Sequence, residues 1–219
     1  GVWRARTTRP RCVVDTSEPA GRAGDIAARR LAEAQHKPYG PATRLKFLRR
    51  RADEVVYVKR LNVGRLSEER LGEAEKELKV AEAFLADGLL RNAAGKAFQA
   101  WKSLLSHFAL RNLALLEERY RGYKRVGNAA VPLYEWVAAT APTSRLMEIA
   151  VLLEKAVPNA VELTALALQL HEYQYNGPDP EGVRSKIPDD ETAARLIATF
   201  IARLKAVVLS HKGAEGGGL

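Results

Sequence analysis

Cysteine occurs once in the 219 residues, at Cys12, and methionine once, at Met147. A single cysteine excludes an internal disulfide and any metal centre built on several thiolates. A reducing, cytoplasmic setting is the expectation that follows. No stretch reaches the roughly 18–20 consecutive apolar residues that a membrane-spanning helix needs. The basic N-terminus lacks the apolar core of a signal peptide. The sequence opens at Gly1 without an initiator methionine, as expected of a processed product, a fragment or a reading frame without its true start. Glycine-rich phosphate loops and dinucleotide fingerprints are missing, and no repeat of roughly 30–45 residues recurs. Few Cys and Met beside many Arg and Glu is a composition compatible with a thermophile.

The sequence does carry apolar residues in globular proportion, 47%, with 28% charged, and it is long enough for one domain plus an appendage. The net charge of +9 is unevenly placed. Residues 1–65 hold 16 Lys+Arg against 6 Asp+Glu, a formal +10, whereas residues 66–219 hold 19 against 20, a formal −1. The high isoelectric point therefore belongs to the first 65 residues. Such a basic leader can hold nucleic acid through phosphate contacts, or it is simply a solvated tail.

The leader reads as largely irregular. Residues 1–24 have no sustained period and are expected to be disordered. Asp25–His36 suits a short helix with Asp25 as its cap, and Pro38, Gly40 and Pro41 end it. Thr43–Lys59 can form a second helix, although Val55-Val56-Tyr57-Val58 favours a strand. Asn62 and Gly64 mark a linker.

From Ser67 onward the pattern is helical. Leu71, Ala74, Leu78, Ala81 and Leu85 recur every three or four residues and make one apolar stripe. Ser67 is the expected N-cap and Gly88 the stop. A second helix runs over about Leu90–Leu110, with Ala94, Phe98, Trp101, Leu105 and Phe108 inward. The short connection at Gly88 predicts an antiparallel hairpin. Asn112–Tyr120 continues or restarts the helix, and the basic Arg119–Arg125 segment follows. Further helices are expected over Val131–Ala139 with Pro132 in the first turn, after Pro142-Thr143-Ser144, over Val161–Tyr173, and from Asp189-Asp190-Glu191 onward. The loop Asn176-Gly177-Pro178-Asp179-Pro180 has strong turn chemistry. The expected architecture is an all-α, antiparallel helical bundle over 66–212, with a flexible tail over 213–219.

Two stretches carry a resemblance: Arg91-Asn92-Ala93-Ala94-Gly95-Lys96-Ala97-Phe98-Gln99-Ala100-Trp101-Lys102, and Leu170-His171-Glu172-Tyr173-Gln174-Tyr175-Asn176-Gly177-Pro178-Asp179-Pro180-Glu181-Gly182-Val183. With Pro142-Thr143-Ser144-Arg145-Leu146 between them, they resemble the archaeal PaREP family over about Arg70–Val208. That family has no assigned biochemical activity. The first two helices also look like the opening hairpin of HEPN domains, small helical bundles that are often dimeric and serve in toxin–antitoxin or RNA-processing systems. The ribonucleases among them carry an Arg-x4–6-His motif. In the bundle no match occurs: Lys102 stands where His107 would need an arginine, and His171 has no basic residue at that spacing. Arg30 and His36 fit the spacing but lie in the leader.

The residues that could carry chemistry fall into three groups. Asn92, Lys96, Gln99, Ser103 and Ser106 follow a helical spacing, with Arg91 and Lys102 beside them. They form either the solvated face of the helix or a stripe that holds a phosphate or a partner helix. His107 is either a histidine at the boundary of the fold or a general base in need of an orienting acid. His171, Glu172, Tyr173, Tyr175, Asn176 and Asp179 cluster at a helix end and in its loop. There His171 and Glu172 could exchange protons and the tyrosines could stack on a base, or they anchor the loop. Histidines and carboxylates are too sparse for an expected metal site, and no cofactor is expected. The expected function is a non-catalytic, HEPN-like interaction module that forms a homodimer or binds a protein or nucleic-acid partner, possibly as one half of a toxin–antitoxin-like pair. The alternative is a ribonuclease or nucleotide-dependent enzyme using His107 or His171.

Overall fold

A computed structural model of the chain describes residues 47–50 and 54–216, with side chains over 57–214. Cys12, the expected Asp25–His36 helix and the Arg30–His36 pair lie outside the described residues. Among those described, seven α-helices and a small four-stranded sheet follow one another in the order β1 (Phe47–Arg50), β2 (Glu54–Val58), α1 (Val63–Ala86), α2 (Leu90–Arg111), α3 (Leu113–Glu117), β3 (Tyr123–Val126), β4 (Ala129–Pro132), α4 (Leu133–Thr140), α5 (Leu146–Leu153), α6 (Ala160–Asn176) and α7 (Asp190–Gly216). A single 3-10 turn over Thr143–Arg145 precedes α5. The all-α expectation holds for the bundle, and the sheet is its small addition.

The helical hairpin forms as its pattern predicts. Leu71, Ala74, Leu78 and Ala81 of α1 are buried. Three residues, Asp87 to Leu89, connect α1 to α2. Cross-helix pairs run in opposite directions: Ser67 meets His107, Glu68 meets Arg111, and Glu77 meets Lys96. The two helices are therefore antiparallel. The N-cap is Asn62, whose side chain accepts from the Arg65 amide at 3.2 Å. Ser67 lies inside the helix and is buried.

Helix α2 sits at the centre. Fifteen of its 22 residues are buried, eight of them in an unbroken run from Ser103 to Leu110. Helix α6 packs antiparallel on it, with Trp101 donating its indole N–H to the Thr164 hydroxyl at 2.9 Å. Ser106 donates to the Ala138 carbonyl at 2.7 Å, near the C-terminus of α4. Helix α7 runs antiparallel to α1, with ion pairs from Lys205 to Glu82 at 2.7 Å and from Lys212 to Glu75. It extends to Gly216, so the expected flexible tail begins, at its first four residues, as helix.

The expected helix over Thr43–Lys59 gives way to strands at the described positions. The β-branched run in β2 finds a partner in β4, and that pairing overrides helix propensity. The sheet order is β1-β2-β4-β3, with β2 parallel to β4 and the other pairs antiparallel. Strands β3 and β4 join through Gly127-Asn128, and Gly127 at φ 58° supplies the left-handed conformation the two-residue turn requires. The expected Val131–Ala139 helix accordingly starts at Leu133, with Pro132 as its flanking residue.

One carboxylate joins this sheet to the bundle. Glu135 of α4 is fully buried. It accepts from the Leu61 amide at 2.9 Å and pairs with the Arg60 guanidinium. Substituting Glu135→Ala strands the Leu61 amide and takes one partner from Arg60, whose side chain is 45% exposed. The expected cost is about 2 kcal/mol, read as a thermal midpoint lower by roughly 4–8 °C in a chain of this size. Glu135→Gln keeps an acceptor for Leu61 and is expected to recover about half.

Candidate functional site

The two motif stretches meet. Arg91, at the start of α2, reaches the end of α6 and donates from Nε to the Gln174 carbonyl at 2.9 Å and from Nη2 to the Tyr175 carbonyl at 2.5 Å. Carbonyls at a helix C-terminus lack intrahelical partners and carry partial negative charge, so a guanidinium there satisfies both. One turn on, Gly95 faces the Gln174 amide, and a Cβ at Gly95 would stand 2.7 Å from it. One more turn on, the Phe98 ring stacks on His171 at 4.1 Å between centroids, and Tyr175 meets His171 edge-on at 5.1 Å. The His171 Nδ1 is buried without a hydrogen-bond partner. His171 is thus one layer in an aromatic stack, and Glu172 beside it is exposed.

The remaining members of that cluster hold the loop. The Tyr173 hydroxyl donates to Asp190 at 2.7 Å, and its burial and that bond raise its pKa well above the ordinary phenol range. Asn176 donates to the Arg184 carbonyl at 2.7 Å. Asp179 accepts from the amides of Arg184 at 2.6 Å, Glu181 at 3.2 Å and Ser185 at 3.3 Å. These amide bonds hold its carboxyl below the usual carboxylate range. The loop closes on the core through Ser185 and Ile187, both fully buried.

The expected polar stripe of α2 divides in two. Asn92 and Gln99 stay exposed, and Lys96 and Lys102 are half-buried. Lys96 pairs with Glu77 at 2.9 Å. Ser103 and Ser106 are buried, because the C-terminal half of α2 is enclosed and a short hydroxyl side chain fits where a longer polar one would not.

His107 is no boundary residue: it is 0% exposed. Its Nδ1 lies 2.9 Å from both the Ser67 carbonyl and the Ser67 hydroxyl. Its Nε2 lies 2.9 Å from the Nε2 of His211 on α7. A carbonyl only accepts, so Nδ1 carries the hydrogen and Nε2 presents a lone pair. His211 escaped the sequence reading, although Leu204, Val208 and His211 continue the inward helical spacing of α7. It is half-buried and lines a cleft of about 690 Å3 with Phe108, Asn159, Glu162, Arg203 and Ser210. A further network missed in sequence joins α5 to the end of α3. The Tyr120 hydroxyl donates to Glu148 at 2.7 Å, Arg119 pairs with the same carboxylate, and the Arg145 guanidinium lies over the Tyr120 ring. Burial and the Glu148 bond push Tyr120 up to about 12.

These groups set two acid transitions. Burial pushes the His107 pKa below its ordinary 6.5, against the opposing bond to Ser67. A folded pKa below the unfolded one gives stability that is complete above the unfolded value and is lost as pH falls through the folded one. Asp179, and Asp189 that accepts from the Thr192 amide, are held below 3.8, and their contribution is lost only at lower pH. The urea midpoint is therefore expected to be level from about pH 6.5 to about pH 9 and to decline in weak acid, then decline again below about pH 4. His107→Asn should flatten the first decline and leave the second; an unchanged first decline would assign it to other groups.

No curated protein and no solved structure matches the chain. The profile of the archaeal PaREP1/PaREP8 family matches residues 69–198, which spans both interlocked motifs and the turn over Thr143–Arg145 between them. The match covers more than half of the sequence, and the chain belongs to the archaeal PaREP1/PaREP8 family.

Proposed function

We propose that this chain is a non-catalytic, HEPN-like helical module that acts by binding a protein partner, in the first instance a second copy of itself. The observation that carries the reading is an apolar groove of about 610 Å3 between α1 and α7. Leu85 and Ile201 lie along it with Ala198, Ala202, Ala206 and Leu209 of α7. These last four are exposed, Leu209 at 69%. Alanines four residues apart leave a shallow strip along which another helix can approach closely. The Lys205–Glu82 pair gives the groove a polar rim, the pattern of an apolar interface core with a charged border. The same groove would accept a helix of an unlike protein, as a toxin–antitoxin-like pair needs. Asn92, Gln99 and Tyr175, the last 65% exposed, offer a separate polar and aromatic contact on α2 and α6.

Catalysis has less support. His107 is enclosed, His171 is stacked on Phe98 with Tyr175 edge-on to it, and Arg91 and Lys96 are engaged within the bundle. A general base must come within hydrogen-bond reach of its substrate proton.

Light scattering on the full chain across about 5–200 μM tests the reading. The expected result is a dimer that Ala202→Glu or Leu209→Glu converts to monomer with the circular dichroism spectrum unchanged, a loss of at least tenfold in affinity because a buried unpaired carboxylate opposes association. A chain that stays monomeric throughout and co-purifies with no protein overturns it. So does RNA cleavage that His107→Ala or His171→Ala abolishes.

A further inference from the structure

The Nε2 atoms of His107 and His211 face each other across 2.9 Å, from helices whose histidines stand 104 residues apart in the chain. We propose that this pair is a binding site for a divalent transition-metal ion, copper(II) or nickel(II) in preference to zinc. The inference is independent of the groove between α1 and α7 and of any partner bound there.

The argument begins with tautomers. The Nδ1–H of His107 is committed to the Ser67 carbonyl, the arrangement by which a buried histidine is fixed with its Nε2 lone pair outward as a ligand. In the metal-free pair that lone pair accepts the Nε2–H of His211. A metal ion replaces this proton: His211 releases the hydrogen from Nε2 and takes one on Nδ1 from water. Both imidazoles stay neutral, so charge and protons balance.

The spacing of the two nitrogens also suits a shared ion. The ring planes stand at 74° with centroids 4.7 Å apart. That separation is shorter than a straight line through both nitrogens allows, so the ring axes are bent away from the Nε2–Nε2 line. With metal–nitrogen bonds of about 2.0–2.1 Å, nitrogens 2.9 Å apart subtend an angle of about 90° at the metal. That is the cis angle of square-planar and tetragonal coordination, which copper(II) and nickel(II) prefer. A tetrahedral zinc ion would need the nitrogens to part by a few tenths of an ångström, to about 3.3–3.4 Å.

The surroundings suit a cation. Phe108 meets both imidazoles edge-on, at 5.1 and 5.3 Å, and holds them in place. Glu68 and Arg111, the charges nearest His107, pair with each other at 3.7 Å and largely offset. His211 opens onto the cleft that Glu162, Arg203 and Ser210 also line, so water can complete the coordination sphere. Among the described residues no group of three or more His, Cys, Asp or Glu is gathered to hold a metal. The site is accordingly a two-imidazole site of micromolar rather than structural affinity.

Isothermal titration of tag-free, full-length protein with copper(II), nickel(II) and zinc(II) in turn tests the inference. The expected result is one equivalent bound, tightest for copper, with the thermal midpoint raised by roughly 5–10 °C at a hundredfold excess over Kd. His211→Ala removes a half-buried side chain near a helix end, and circular dichroism of the metal-free variant checks that it folds. It should weaken binding at least tenfold. His36→Ala and His171→Ala, which replace the chain's other imidazoles outside the pair, should leave it unchanged. For copper, electron paramagnetic resonance should report two nitrogen ligands in the wild type and fewer in His211→Ala. Absence of binding at about 100 μM metal overturns the proposal, as does binding that His211→Ala leaves intact.

Discussion

The structure depends on enclosing the second half of α2 on every side. A helix buried all round cannot send its polar groups to solvent, so each must find a partner on whichever helix covers it. Trp101 finds Thr164 on α6, Ser106 finds the carbonyls of α4, and His107 finds Ser67 on α1 and His211 on α7. The apolar surface supplies the driving force, but it is non-directional. These bonds fix which residue faces which. Ala93, Ala94, Gly95, Ala97 and Ala100 let the neighbours come close enough for the bonds to form.

How much of this was legible depended on the range of the interaction. The α1 stripe, the Gly88 hairpin and the inner face of α2 are local periodicities, and a single helix displays them in full. The β3–β4 hairpin left a weaker mark, a Gly-Asn pair between short runs, and basic residues on its exposed strand masked the alternation. The helix read over Thr43–Lys59 failed because a β-branched run follows its partner, and β4 lies some 70 residues downstream. Burial of Ser103, Ser106 and His107 was not legible at all. A polar stripe looks the same whether water or another helix covers it, and only the positions of α4 and α7 decide between them. Arg91 and Asp179 read as ligand groups for the same reason: a guanidinium on a helix terminus and a carboxylate accepting loop amides use the donors and acceptors that a bound anion or base would use.

The interlocked motifs and the histidine pair stand differently toward the family. Arg91, Gly95, Phe98, His171 and Gln174 all fall within the matched 69–198, and their contacts to one another, with Trp101 on Thr164, join α2 to α6. Ser67 and His211 fall outside it. The stack thus lies wholly inside the matched region, whereas the imidazole pair takes His107 from within it and Ser67 and His211 from either side.

The Glu135 carboxylate has a consequence for comparison among relatives. It lies inside the matched region, but both of its partners, Arg60 and Leu61, lie upstream of it. A fully buried carboxylate is tolerable only while those partners are present. Any comparison of this chain with a relative therefore has to take in the segment before the matched region, because a carboxylate inside that region is satisfied from outside it.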